Sequence, residues 1–299
     1  MRKKRDLRTS RDSNHKISPL PRSTRAILNQ FASGTITLDE AEDLLRSAAV
    51  QKIGDIANLD PGREVRNGIP EIILAEGKDL PDLLEIVKEG LATSHRILVS
   101  RLVDNQLRAL RNTFARKYRF DIGKNGRIVS IQDKNTSISY NAGRIGVLTA
   151  GTSDRSVAEE TKYVANAMGC RVFAAYDVGI AGIHRLFTPL RKMILEDVDV
   201  LVVIAGREGA LPSVIAGLVD LPIIAVPTSV GYGYGEKGIT ALMAMLQSCS
   251  LGLSVVNIDN GVGAGAIAAL IARRAHRRRR GSDRDRQVHK EMAVDHSYM

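Results

Sequence analysis

The chain has 299 residues, enough for two domains of ordinary size, and its 44% hydrophobic and 25% charged content is that of a globular protein rather than a disordered one. Only 4% of residues are aromatic and none is Trp, which argues against a surface that stacks single-stranded nucleic acid. The net charge of +10 sits at the ends, since residues 1–25 hold nine Lys and Arg against two Asp and residues 272–299 hold nine against four acids, so the body between them is slightly acidic and no nucleic-acid partner is expected for it.

Residues 1–25 read as a basic disordered leader with no periodicity. No signal-peptide apolar region follows it, and no apolar run reaches membrane length, so a cytoplasmic protein without a membrane partner is expected. A small N-terminal α/β domain is expected over residues 26–141. A short helix fits Ala26–Phe31, and Thr37-Leu38-Asp39-Glu40 is a capping box that opens a second helix with Leu38, Ala41, Leu44 and Leu45 on one face. The stretch Asn58–Pro70 is dense in charge and turn residues. Strands are expected at Glu71–Glu76, Arg96–Arg101 and Arg127–Ile131, with helices at Asp79–Leu91, capped by Asp79, and Asp104–Arg116. The polar link Asp133–Asn141 closes this part.

A regular pattern then fills residues 142–275. Val- and Ile-rich strands are expected at Ile145–Thr149, Arg171–Tyr176, Val200–Ile204, Pro222–Val226 and Leu253–Asn257, with helices between them and at Ala264–Arg274. Strands alternating with helices predict an α/β fold, a doubly wound three-layer parallel sheet covered on both faces. Residues 276–299, with the run Arg277–Arg280, read as a second basic disordered tail.

The chemistry-bearing residues fall after the strands, where open α/β sheets bind ligands. After the first, Thr149-Ala150-Gly151-Thr152-Ser153-Asp154 opens a helix with small and hydroxyl residues. It suits a phosphate on backbone amides, or a plain cap by Ser153. After the second comes Asp177–Arg185, holding His184, the sole His of the regular sheet. After the third, Ala205-Gly206-Arg207-Glu208-Gly209-Ala210 puts an acid in a glycine turn, where packing gives it no reason to be. Gly231–Gly238, with four glycines, follows the fourth strand. Gly261-Val262-Gly263-Ala264-Gly265 follows the fifth, where close helix packing and ligand contact are both open readings. Asp154, Asp177 and Glu208 share one sheet edge, so a cation held mostly by substrate phosphates is open, with its protein ligands unassigned. Two cysteines are too few for a disulfide framework and suit a reducing compartment. Cys170 reads as packing. Cys249, among Gln247, Ser248 and Ser250, fits either a buried structural residue or a thiolate nucleophile.

Three of these stretches resemble the PurE superfamily, which includes aminoimidazole ribonucleotide carboxylase: Gly146–Asp154, Ile183-His184-Arg185 with Pro189, and Ala205–Ser213. The resemblance implies a PurE-like, flavodoxin-like fold for residues 142–275. The chain departs from the purine enzymes in placing Glu208 where they have a small residue, in lacking a His before Leu211-Pro212, and in carrying Cys249 ahead of Val255–Gly261. In these departures it is similar to the LarB family of pyridinium-3,5-biscarboxylic acid mononucleotide synthases, which begin nickel-pincer cofactor synthesis. The stretch Leu59–Arg63 with Arg66, Gly68, Pro70, Glu71 and Glu76-Gly77-Lys78 resembles the leader domain of that family.

The LarB resemblance implies carboxylation of the pyridinium ring of nicotinic acid adenine dinucleotide by CO2, with hydrolysis of the phosphoanhydride to release AMP. It implies Cys249 as nucleophile, Glu208 as acid/base partner and Mg2+ at the pyrophosphate. Substrate and phosphate contacts would come from Thr149, Gly151, Thr152, Ser153, Asp154, Asp177, His184, Arg185, Gly206, Arg207, Gly209 and Ala210. It further implies a homo-oligomer, an octamer built from dimers. The competing expectations are an aminoimidazole ribonucleotide carboxylase or mutase, which has no need of Cys249, and a non-catalytic nucleotide-binding protein whose basic tails engage nucleic acid.

Overall fold

The computed structural model describes residues 24–48, 51–60, 62–94, 96–136 and 138–295. All but the last two residues of the expected basic leader lie outside these, as does Pro61. The chain divides into two compact units after Ala49. In the first, α1 (Thr24–Ala32) and α2 (Leu38–Ala48) bury Ile27 and Ala41. The capping box forms as the sequence predicts: Thr37 N donates to Glu40 Oε2 at 2.8 Å, and Glu40 N donates to Thr37 Oγ1 at 3.2 Å.

The second unit holds both larger sheets, which the sequence reading assigns to separate domains. A hairpin of β1 (Gln51–Ile53) and β2 (Ala57–Leu59) and the short α3 (Arg63–Asn67) lead into β3 (Ile72–Leu74), α4 (Leu80–Thr93), β4 (Arg96–Ser100), α5 (Asp104–Phe114), β5 (Tyr118–Ile122) and β6 (Ile128–Asp133). The strand order is β3-β4-β6-β5, parallel only between β3 and β4. Asp79 stands just ahead of α4, but its side chain makes no capping hydrogen bond. The hairpin, α3 and β5 are elements that the sequence reading passes over.

The regular part follows as β7 (Arg144–Thr149), α6 (Arg155–Ala167), β8 (Arg171–Ala175), α7 (His184–Leu195), β9 (Val200–Ala205), α8 (Leu211–Ala216), β10 (Ile223–Pro227), α9 (Ile239–Leu246), β11 (Leu253–Val255) and α10 (Gly261–Asp295). All five strands are parallel, in the order β8-β7-β9-β10-β11. This is the flavodoxin-like winding, whose strand order reverses between β7 and β9. The predicted doubly wound α/β sheet is therefore present. One face packs on α7, α8 and α9 through Leu186, Leu190, Met193, Leu211, Ile215 and Met245. The other packs on α6 and α10 through Val157, Val164, Ala268 and Ala272.

The same two helices complete a further layer, because Leu98 of β4 and Ile128 of β6 join that second core. The four-stranded sheet turns its opposite face to α4 and α5. Lying between two sheets, α6 is buried on nearly every side, polar residues included. Those polar residues are paired: Ser100 Oγ donates to Glu160 Oε1 at 2.6 Å, and Tyr163 OH to Asp121 Oδ1 at 2.8 Å. The two helices approach through glycine. A Cβ on Gly261 would stand 2.3 Å from the Val157 carbonyl oxygen, and one on Gly265 would stand 2.6 Å from that of Thr161. The glycine run after β11 thus serves helix packing. The sequence reading ends α10 at Arg274; the helix continues to Asp295, through residues rich in strong helix formers. Arg279 Nη2 donates to Asp199 Oδ1 at 2.5 Å, tying the extension to the sheet. Among the described residues, no helix is long and apolar enough to cross a membrane.

Candidate active site

A cavity of about 540 Å³ opens at the C-terminal ends of the parallel strands, over the reversal between β7 and β9. Four loops build it. The loop after β7 supplies Gly151, Thr152, Ser153 and Asp154; the one after β8 supplies Asp177, with Arg185 from the first turn of α7; the one after β9 supplies Gly206, Arg207, Glu208 and Ala210. Val230, Gly231 and Tyr232 enter from the loop after β10.

The loop after β7 is organised by its own side chains. Asp154, 3% exposed, accepts from Gly151 N at 2.8 Å and from Thr228 Oγ1 at 2.7 Å. Burial pushes its carboxyl above the usual range, and these two bonds hold it back toward the ionised form. Asp154, not Ser153, closes the turn, and Thr152 and Ser153 stay exposed at the start of α6, where amides and helix dipole favour an anion. Thr149 does not line the cavity. It is fully buried beneath it, donating to Gly151 O at 2.9 Å and accepting from Asp177 N at 3.2 Å. One buried hydroxyl therefore fixes the first two loops relative to each other.

Two cations, Arg185 and Arg207, and two acids, Asp177 and Glu208, line the opening. Arg185 Nη1 donates to Asp177 Oδ2 at 2.6 Å. The Arg207 guanidinium lies 4.7 Å from the centre of the Tyr232 ring, a cation–π contact. Glu208 is exposed beside them, in the turn that Gly209 closes. Gly209 is buried behind the wall, with φ of +65° and room for no Cβ: one would meet the Ala241 carbonyl oxygen of α9 at 2.8 Å.

Two of the expected residues stand apart. His184, the first residue of α7, is exposed and does not line the cavity. Cys249 is also outside it, exposed on the loop after α9. That loop is tied to α8, with the Ser213 and Ser248 hydroxyls 2.8 Å apart and Ser250 Oγ donating to Ser213 O at 2.9 Å. Cys170 is buried, its thiol pushed up to about 12 by desolvation, as its packing role predicts. Tyr232 belongs to the glycine loop Gly231–Gly238, which the sequence reading takes as mobile or ligand-hugging; Thr228 is the participant that sequence reasoning missed. The only signal for Thr228 was a hydroxyl directly after a buried strand.

The donors present do not form a Mg2+ site built by the protein. Among the described residues no three His, Cys, Asp or Glu cluster to hold a metal. Both oxygens of Asp154 are engaged, and Asp177 is paired with Arg185.

Residues 144–292 match the family model for AIR carboxylase, and residues 50–134 match that for the LarB/PurE-like N-terminal domain. An uncharacterized protein of Methanocaldococcus jannaschii is 44% identical over 262 residues, which is 86% of this chain and 99% of that protein. The N5-carboxyaminoimidazole ribonucleotide mutase of the same organism is 28% identical over 126 residues, 42% of this chain and 75% of the mutase. That of Pyrococcus horikoshii is 31% identical over 134 residues, 42% of this chain and 71% of the mutase. With the five-stranded sheet inside one match and the four-stranded sheet inside the other, the chain belongs to the PurE (AIR carboxylase) superfamily, in its LarB-like group.

Proposed function

We propose that this protein carboxylates the pyridinium ring of nicotinic acid adenine dinucleotide with CO2 and hydrolyses the phosphoanhydride, giving pyridinium-3,5-biscarboxylic acid mononucleotide and AMP. The observation that carries the reading is Glu208, an acid on the wall of the cavity at the sheet's switch point, in a chain that joins the AIR carboxylase domain to the LarB-like N-terminal domain.

A pyridinium ring is electron-poor and does not attack CO2. Addition of the Cys249 thiolate para to the ring nitrogen turns it into a dihydropyridine with enamine character. Its free meta carbon then donates an electron pair to CO2 and forms the new C–C bond. Glu208 takes the proton from that carbon, the pair restores the aromatic ring, and the thiolate leaves. One hard step becomes several easier ones. Thr152 and Ser153 at the start of α6 receive a phosphate. Mg2+, if bound, would be held mainly by the substrate's pyrophosphate and would supply charge neutralisation there.

Cys249 is exposed and lies outside the cavity of its own chain. Leu251, 92% exposed, and the exposed Met243 and Leu246 lie close to it in the chain. Such exposed apolar surface favours association. We assign the thiolate to the cavity of a neighbouring copy in a homo-oligomer.

Incubation of the protein with nicotinic acid adenine dinucleotide, bicarbonate and Mg2+ is expected to yield AMP and a doubly carboxylated mononucleotide by mass spectrometry. Folded protein that makes neither product removes the reading. Interconversion of carboxyaminoimidazole ribonucleotides by the same preparation would instead support the activity named for the mutase relatives.

A further inference from the structure

A second cavity of about 360 Å³ lies between the C-terminal ends of β3 and β4 and the face of α6. Arg101 and Arg127 enter it from the N-terminal module, Ser156 and Glu160 from α6, and Ser229 and Asp259 from the loops after β10 and β11. Ser153 and Val230 line both this cavity and the first, so the two share a rim. The proposed carboxylation uses none of the residues in the second cavity beyond that rim.

The backbone here is held against its preference. Arg101 and Asp259 both have φ of 56°, a left-handed conformation that costs a non-glycine residue about 1–2 kcal/mol. Among the described residues, six other than glycine have positive φ. Two of these line the second cavity, and two more, Asp177 and Arg207, line the first. Strain of this kind collects at ligand sites. The two strained turns are joined, since Arg101 Nη2 donates to the Asp259 carbonyl at 3.0 Å while its Nη1 donates to Glu76 Oε2 at 2.8 Å. Arg101 is thereby committed to holding the walls together. Arg127 is exposed; its charge acts on Glu76 and Glu160, but among the described residues it makes no ion pair at contact distance, which leaves its guanidinium to a ligand.

The carboxylates narrow the ligand class. Glu160 is 5% exposed and accepts from Ser100; Asp259 Oδ1 accepts from Ser229 N at 2.9 Å. A bare phosphate is repelled by such acids. A nucleotide satisfies both kinds of group, with its phosphate on a guanidinium and its ribose hydroxyls donating to a carboxylate.

We propose that the second cavity holds the nucleoside monophosphate half of a dinucleotide whose other half occupies the first, with Arg127 on its phosphate and the Asp259 carboxylate on its ribose. The inference rests on the dinucleotide reading of the first cavity. It also accounts for the N-terminal module, which lies outside the AIR carboxylase match, as the part that extends a mononucleotide site into a dinucleotide site.

The test is calorimetric titration of the full chain with AMP and, separately, with nicotinic acid mononucleotide. Arg127→Ala is expected to weaken AMP about tenfold or more, as loss of a charge-assisted hydrogen bond does, and to leave the mononucleotide within about twofold. Arg127→Lys recovers part of the AMP affinity, and Arg207→Ala shows the reverse pattern. Unchanged AMP affinity in Arg127→Ala, AMP loss confined to Arg207→Ala, or no AMP binding by the parent protein each overturns the proposal. Turnover of the dinucleotide is scored apart. Turnover with AMP binding insensitive to Arg127 removes this cavity and keeps the carboxylase. AMP binding that needs Arg127, without turnover, removes the carboxylase and keeps the nucleotide cavity.

Discussion

Glu208 and Cys249 carry the proposed chemistry from different surroundings, one on the cavity wall and one on an outer loop. Glu208→Gln keeps the shape and loses the base, so kcat is expected to fall about 10²–10⁴-fold with little change in stability. Cys249→Ser is expected to abolish carboxylation and to remove a dinucleotide-sized adduct from the intact-protein mass spectrum; full activity in that variant rules out the covalent route. Asp154 makes a separate prediction about stability. Its folded-state pKa lies above the unfolded value, so the native state holds the proton longer, and stability falls as pH rises through that interval. Thr228→Val deletes the 2.7 Å bond that offsets this penalty. It is expected to cost about 1.5–3 kcal/mol near neutral pH and about 0.5–1.5 kcal/mol in acid, where the carboxyl is protonated in both states. Urea unfolding at the two pH values reads the difference.

At the scale of elements, the turn after β9 depends on having no side chain at Gly209. Gly209→Ala combines a left-handed backbone with a clash against α9 and is expected to cost about 2–4 kcal/mol while displacing Glu208. Thermal unfolding and kcat, measured together, check both effects. The extension of α10 is held by Arg279 on Asp199, whose side chain is fully buried. Arg279→Ala leaves that carboxylate with the Arg144 amide at 2.8 Å and is expected to destabilise by about 1.5–3 kcal/mol in urea unfolding. The strands of the parallel sheet were legible because burial on both faces makes continuous Val/Ile runs. β5 was not: Tyr118–Ile122 alternates toward solvent and carries Arg119 and Asp121, so its apolar signal is half that of a buried strand. The glycines after β11 were ambiguous for another reason. A glycine that meets a helix and one that meets a ligand look alike until the partner is placed.

At the scale of the whole molecule, the assignment of Cys249 to a neighbouring cavity predicts that inactive Cys249→Ser and Glu208→Gln chains, mixed and reassembled, regain activity through hybrid sites. Mixtures that remain inactive after subunit exchange is verified by native mass spectrometry would place both groups in one chain. The sequence by itself determined the doubly wound sheet, the edge that binds ligands and the four loops that follow its strands around the cavity. These follow from local periodicity and from loops adjacent in the chain to their strands. Only the tertiary structure decided that α6 is shared by two sheets, that Thr228 steadies Asp154, that Cys249 lies outside the cavity holding Glu208, and that Arg101 and Arg127 border it through a second cavity. Asp154 and Thr228 are 74 positions apart, and Arg101 and Asp259 are 158 apart. No local pattern encodes which distant loop will close over a strand end.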